Sequence, residues 1–201
     1  MITIVDYGMG NLGSIQNMLK RVGARSRIVS SPLELESAEK ILLPGVGAFD
    51  SAMERIGSGG FREVLDRKAL VERVPVLGIC LGMQLLTHAS EEGRLPGLGW
   101  IAAQTMRFPP GEGRKVPHMG WNLVIQARPS ALTEGLGPDA RYYFVHSFFV
   151  KVDHEDDSVL KTRYGVTFDA AIEHGNIYGA QFHPEKSHRF GMQLFANFAR
   201  L

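Results

Sequence analysis

The chain holds one cysteine, Cys80, in the run Gly78-Ile79-Cys80-Leu81-Gly82. Glycines two positions either side of a nucleophile mark the sharp strand-to-helix bend of the G-x-S-x-G type. A side chain at 78 or 82 would crowd such a bend. The bend also sets the thiol at the start of a helix, where the dipole favours thiolate. A thiol of ordinary pKa ~8.5 is only slightly ionised at neutral pH, so attack by Cys80 calls for a base. His183 has the most suggestive setting of the histidines: Gln181-Phe182-His183-Pro184-Glu185-Lys186-Ser187. Residues two apart on an extended chain share a face, and Pro184 favours that form at the residue before it. Glu185 is therefore expected to orient the His183 imidazole as the third member of a triad. Most lone cysteines are small core thiols, but the glycine spacing already favours a reactive Cys80, whereas His-Pro-Glu alone reads as a surface turn. Coupled, they favour covalent acyl transfer.

Acyl transfer through a tetrahedral oxyanion also needs preorganised donors. The Leu81 N–H, just after the nucleophile, is one candidate. The loop Pro44-Gly45-Val46-Gly47-Ala48-Phe49 supplies another, at Val46 and Gly47, since its glycines let the backbone approach a ligand. On its own the loop reads equally as an ordinary βα turn.

These groups must be carried by regular elements. Ile2–Val5, Arg25–Val29, Lys40–Leu43 and Val74–Leu77 read as strands. Between them lie a helix from Leu12, with Ile15, Met18, Leu19 and Val22 at helical spacing and Gly23 closing it, and short helical stretches at Pro32–Ala38 and Phe61–Glu72. A helical segment Met83–Leu86 follows the bend. The alternation predicts an α/β fold with a mostly parallel central sheet flanked by helices. After Leu95, strands are expected at Trp100–Phe108, Asn122–Gln126, Tyr142–Val152, Val159–Tyr164, Asp169–His174 and Ile177–Phe182, with Gly/Pro clusters at 109–113 and 135–138 between some of them. A last helix spans Gly191–Leu201. The expectation is one domain over residues 1–201 with a strand-rich second half.

Lys plus Arg number 22 against 21 Asp plus Glu, so no global field favours nucleic acid or a membrane surface. One cysteine forms no internal disulfide, and the amino terminus lacks a secretory pattern; a cytoplasmic protein is expected. Gly8-Met9-Gly10-Asn11-Leu12-Gly13 matches the dinucleotide fingerprint. The acidic residue expected after the second strand is missing, which favours a tight turn or a partner surface. No Cys/His cluster has ligand spacing, so neither metal nor cofactor is expected. His154-Glu155-Asp156-Asp157 reads as a solvated loop, and Trp121 as core or as an exposed anchor.

Residues 44–49, 78–86 and 181–187 together resemble the triad-type (class I) glutamine amidotransferases, whose fold is flavodoxin-like. The resemblance runs in order from Ile2 to Phe198. It implies hydrolysis of L-glutamine to glutamate and ammonia through a thioester on Cys80, with His183 as acid and base and Glu185 as its orienter. It implies substrate contacts from Gly47, Gln84, His146, Ser147 and Phe148. Phe148 stands where the family commonly has tyrosine, and His188 where it commonly has glutamine. The stretches 6–12, 115–122 and 143–147 narrow the resemblance to glutaminases of histidine biosynthesis that form a heterodimer with a (β/α)8-barrel cyclase subunit. The ammonia would serve there to make imidazole glycerol phosphate and an aminoimidazole carboxamide ribonucleotide. Asn11, Met119, Trp121 and Lys186 are the expected docking residues. The rival readings are a thiol hydrolase on a related α/β scaffold and a catalytically silent regulatory module.

Overall fold

Short β-rich runs alternating with amphipathic stretches build the first half of the molecule. The computed structural model describes residues 1–111 and 115–201, so the Gly/Pro cluster at 109–113 lies partly outside the described residues. Strand β1 (Ile2–Val5) leads into α1 (Leu12–Arg21), β2 (Ser26–Val29), the one-turn α2 (Pro32–Leu35), β3 (Ile41–Leu43), α3 (Phe49–Ser58) and α4 (Phe61–Asp66). A π-helical turn, Arg67–Val71, prolongs α4 before β4 (Val76–Ile79), α5 (Leu81–Leu85) and β5 (Ala89–Ser90). Then come β6 (Ala103–Arg107), β7 (His118–Leu123), β8 (Ile125–Gln126), β9 (Arg141–His146) and β10 (Phe148–Val152). Strands β11 (Ser158–Tyr164), β12 (Val166–His174) and β13 (Ile177–Ala180) and helix α6 (His188–Arg200) complete the chain.

The main sheet runs β2-β1-β3-β4-β13-β12-β10-β6-β5, with β11 and β8 attached beside β12. Its first five strands are parallel, in the flavodoxin-like order. The pairs of β12 with β13, β10 and β11, and of β10 with β6, are antiparallel. The parallel expectation thus holds for the α/β half, and the sheet as a whole is mixed. Successive strand residues feed opposite faces: Leu42 joins one core, Ile41 and Leu43 the other. Ile15, Met18 and Leu19 of α1, with Leu194, Phe195 and Phe198 of α6, close the first face. Phe49, Ala52, Met53 and Ile56 of α3, with Phe61, Val64 and Leu65 of α4, close the second. Each fully buried Leu, Ile or Phe contributes about 1.5–3 kcal/mol.

Three departures from the sequence reading bear on function. Helix α3 was not anticipated, although 49, 52, 53 and 56 follow helical spacing. The expected strand Tyr142–Val152 is two strands broken at Ser147: β9 pairs with β7 in a separate ribbon, while β10 joins the main sheet. The bend is also tighter than expected, with β4 reaching Ile79 and α5 starting at Leu81, which leaves Cys80 alone between them.

A Cβ on Gly82 would stand 1.9 Å from the Leu43 carbonyl oxygen, and one on Gly78 would stand 2.5 Å from the Gly82 oxygen. The start of α5 is therefore pressed onto the end of β3. Gly82→Ala should cost about 3 kcal/mol by overpacking. Gly13→Ala, in α1 with nothing within 4 Å of its new Cβ, should stabilise by ~0.5–1 kcal/mol. Urea unfolding of the two variants checks this pair of opposite signs.

Candidate active site

Cys80 adopts φ 54, ψ −109, a region non-glycine residues rarely enter. Three backbone hydrogen bonds hold it there. Its N–H donates to the Ala180 carbonyl of β13 (2.7 Å), and its own carbonyl accepts from the N–H groups of Met83 (3.1 Å) and Gln84 (3.2 Å). Leu81, as the first residue of α5, has no carbonyl within the helix to receive its N–H. The loop after β3 leans on this point, since a Cβ on Gly45 would meet Leu81 Cβ at 3.0 Å and the Gly82 nitrogen at 3.1 Å. Gly47, at φ +110, carries the loop past it. From the β1 side, Tyr7 Oη donates to the Pro44 carbonyl (2.7 Å). Burial, and then the neighbouring Cys80, push the Tyr7 phenol's pKa well up despite Arg55, so it remains a donor.

His183 follows the end of β13, with φ −101 and ψ 97. Its N–H donates to the Tyr143 carbonyl (2.9 Å), and its carbonyl accepts from Ser187 Oγ (2.6 Å). His183 Nδ1 lies 2.7 Å from Glu185 Oε1, and both side chains are only 3% exposed. An acceptor at Nδ1 puts the proton there and leaves Nε2 as the reactive nitrogen. The pairing expected of these two residues is present, with a different cause. Glu185 sits in a 3-10 turn, Pro184–Lys186, rather than on an extended segment, and the turn swings its carboxylate under the ring. Burial lowers the imidazole's proton affinity. The Cys80 thiol and Glu185 outweigh it by hydrogen bonding and charge, and its pKa is pushed up to about 10. Nε2 nonetheless has no formed hydrogen bond. The thiol and ring stand close enough to interact without being in donor–acceptor geometry.

Cys80 and His183 line one cavity of about 340 Å³. Val46, Gly47, Leu81, Gln84, His146, Ser147 and Phe148, the residues named from the sequence as candidate substrate and oxyanion contacts, line it too. Lys186 also reaches it, from the set expected to dock a partner. Gln84 Nε2 is engaged internally, donating to the Phe148 carbonyl (3.1 Å) and Gln181 Oε1 (3.2 Å). The Phe148 ring is buried beneath Arg107, 4.8 Å away. Four cavity neighbours were missed: Pro117 and Val145 on its wall, and Gln181 and Glu92. Gln181 points its Nε2 at Cys80 Sγ (3.8 Å), and its place two residues before His183 was the available signal. Glu92 lines the cavity while accepting the Phe49 N–H (3.0 Å) at the start of α3; nothing in its local sequence marks it.

Asn11, Met119 and Trp121 lie outside this cavity. Asn11 is exposed and caps α1, its Oδ1 accepting from Ser14 N–H (3.4 Å). Met119 is 62% and Trp121 45% exposed, which decides between the core and surface readings of Trp121. It stacks on His188 (5.5 Å between centroids). The glycine run at 8–13 forms a tight turn, with Gly8 and Gly10 at φ 85 and 123, and Gly10 packs on Pro44. The acidic run is exposed at His154, Glu155 and Asp156, as read, but Asp157 departs from that reading: it is buried and pairs with His174 Nδ1 (2.9 Å), because the strand-rich half folds over it. Among the described residues no group of three or more His, Cys, Asp or Glu is placed to hold a metal ion. No helix among them is long and apolar enough to cross a membrane.

Cys80→Ala would strip the His183 ring of two of the influences that raise its pKa while leaving burial, which lowers it. The His183 pKa should then fall below about 10. An NMR titration of both proteins checks this, and an unchanged value would show that the thiol does not act on the ring.

Comparison with known proteins gives the site its context. The family profile for class-I glutamine amidotransferases matches residues 3–201. Imidazole glycerol phosphate synthase subunit HisH 2 of Pseudomonas aeruginosa is 49% identical over 201 residues, covering all of both chains. The HisH 2 subunit of Methanococcus maripaludis is 48% identical, covering 100% of this chain and 99% of its own. Among solved structures, a glutamine amidotransferase superposes with TM-score 0.75 at 21% identity, over 100% of this chain and 99% of that one. PurLQS from Thermotoga maritima superposes with TM-score 0.72 at 19% identity, over 99% of this chain and 97% of that one. At such identities the structures speak for the fold alone. By the profile match and by relatives alike over their whole length, this chain belongs to the class-I glutamine amidotransferases, among the HisH glutaminase subunits of imidazole glycerol phosphate synthase.

Proposed function

We propose that Cys80, His183 and Glu185 form the glutaminase centre. The thiolate adds to the side-chain amide carbon of glutamine, and the resulting oxyanion is received by the N–H of Leu81 and by the loop at Val46-Gly47. His183 holds the thiol proton at Nε2 and returns it to the departing nitrogen, so ammonia leaves and a glutamyl thioester remains. The neutral ring then draws a proton from water, whose oxygen attacks the thioester and releases glutamate and the thiol. Glu185 holds the imidazole in the tautomer that this shuttle requires. Glu92, a rim carboxylate, is suited to pair with the substrate's α-ammonium, and Ser147 and Phe148 form the wall beside it.

The observation that carries this reading is the meeting of three segments distant in sequence, 44–47, 78–84 and 181–186, around one cavity with the thiol and the imidazole on its walls. The partner is a cyclase subunit with a (β/α)8 barrel, joined as a heterodimer and receiving ammonia directly. Free ammonia in water is mostly ammonium, which is no nucleophile, so direct transfer preserves the reactive form. Asn11, Met119, Trp121 and Lys186 are suited to dock that subunit: Met119 and Trp121 present exposed apolar surface, and Lys186 joins the cavity rim to that side of the molecule, its Nζ 5.8 Å from the Tyr143 ring beside Trp121. A thiol hydrolase would not call for that surface, and a silent module would not need a buried His–Glu pair beside the cysteine.

Glutamate release, measured with and without the cyclase and its nucleotide, tests the reading; no release from the complex would overturn it. Cys80→Ala should lower the rate about ten-thousandfold or more while the complex still assembles. Glu92→Gln should raise KM for glutamine about tenfold with kcat little changed. Trp121→Ala should weaken affinity for the cyclase about tenfold or more, as an exposed aromatic anchor does; calorimetry showing undiminished affinity would remove Trp121 from the docking face.

A further inference from the structure

The mechanism above gives no step to two buried histidines. His146 reaches the cavity wall, yet both its ring nitrogens are taken: Nδ1 lies 2.7 Å from the Phe148 carbonyl and Nε2 lies 2.9 Å from His118 Nδ1. A carbonyl only accepts, so His146 carries its proton on Nδ1 and offers Nε2 as acceptor. His118 must then carry its proton on Nδ1, which leaves its Nε2 to accept from Asn122 Nδ2 (3.3 Å). Asn122 Nδ2 donates as well to the Arg163 carbonyl (3.0 Å). Every bond runs one way, from Asn122 through His118 and His146 to the Phe148 oxygen.

The surroundings suit neutral rings. His118 is sandwiched between Phe144 (4.8 Å) and Tyr164 (4.1 Å), and Phe108 and Phe168 flank His146 at 5.3 and 5.2 Å. Burial lowers the His118 pKa to about 4. It lowers that of His146 to about 3, against the bond to Phe148 and with the charges of His118 and His183 adding to it. The carbonyl at the end of the chain also receives Gln84 Nε2 from α5 (3.1 Å). It is thus clamped from two sides at the break between β9 and β10, where Ser147 and Phe148 face the cavity.

We propose that His118 is a positioning residue for glutamine hydrolysis: it imposes on His146 the tautomer that clamps the Phe148 carbonyl and so fixes the Ser147-Phe148 wall of the substrate cavity. The inference rests on the reading that this cavity takes glutamine, and it adds a device that the reading does not require. His118 and Asn122 lie on one face of β7, and Met119 and Trp121 on the other, so one strand carries both the clamp and the proposed docking surface.

Two exchanges separate hydrogen bonding from shape. Asn at 118 keeps an N–H donor near the Nδ1 position but loses the ring, whereas Phe keeps the stacked ring and loses the donor. In the complex with the cyclase, His118→Phe should raise KM for glutamine about tenfold, the cost of stripping a buried acceptor of its donor. His118→Asn should restore most of that loss, with kcat changed far less in both. The reverse order, Phe tolerated and Asn impaired, would mean that the ring acts by packing alone and would overturn the proposal. ¹⁵N spectra of the unaltered complex provide an independent test even if a variant fails to fold. Both rings should be neutral Nδ1–H tautomers across neutral pH, unlike free imidazole in water; an Nε2–H or cationic His118 would overturn the chain. An unaltered complex that releases no glutamate would count against the glutaminase reading, whereas wild-type kinetics in His118→Phe would count against this inference alone.

Discussion

Contact between the backbone of Gly82 and the Leu43 carbonyl is the constraint on which the site depends. There is no room between them for a single methyl group. That closeness forces β4 to turn into α5 through one residue, and the one residue is Cys80, held at φ 54. A non-glycine residue in such a conformation costs of order 1–3 kcal/mol and persists only where its surroundings leave no alternative. Here those surroundings are the bond from Cys80 N–H to Ala180, the carbonyl bonds that start α5, and the loop after β3 packed on Leu81 and Gly82. The same packing that strains the cysteine therefore brings the Val46-Gly47 loop beside it.

Three sides of the cavity are supplied from the carboxyl ends of neighbouring parallel strands. The glycine turn after β1 buttresses Pro44, the loop after β3 provides backbone, the bend after β4 provides the thiol, and the segment after β13 provides His183 and Glu185. This is where open α/β sheets gather ligands, because the helices that follow the strands leave a crevice at that edge. The antiparallel half contributes the fourth wall through the break at Ser147, where one stretch of chain leaves the β7–β9 ribbon and enters the main sheet.

Three histidines meet around this wall, and their surroundings sort them. His183 faces the thiol and a buried carboxylate and is driven upward to about 10; His118 and His146 face aromatic rings and one another and are driven down to about 4 and 3. The same side chain is thus pushed toward holding a proton in one place and kept a neutral hydrogen-bond relay a few residues' breadth away. The difference is charge nearby against apolar burial.

The grouping of Cys80, His183 and Glu185 was legible in the sequence, because Gly78, Gly82 and the Gln-Phe-His-Pro-Glu run are local patterns with local causes. Strands β1 to β4 and helix α1 were legible for the same reason: apolar spacing and a closing Gly23 depend only on near neighbours. Helix α3 had the right spacing but was hidden behind a glycine loop. The break at Ser147 could not be read, since Tyr142 to Val152 is equally apolar on both sides and only pairing with β7 and β6 parts it. Glu92, the tautomers of His118 and His146, and the 3-10 turn that swings Glu185 under His183 likewise belong to tertiary structure. Each is decided by groups far along the chain, and a sequence states which side chains exist but not which of them share a cavity, a hydrogen bond or a dielectric.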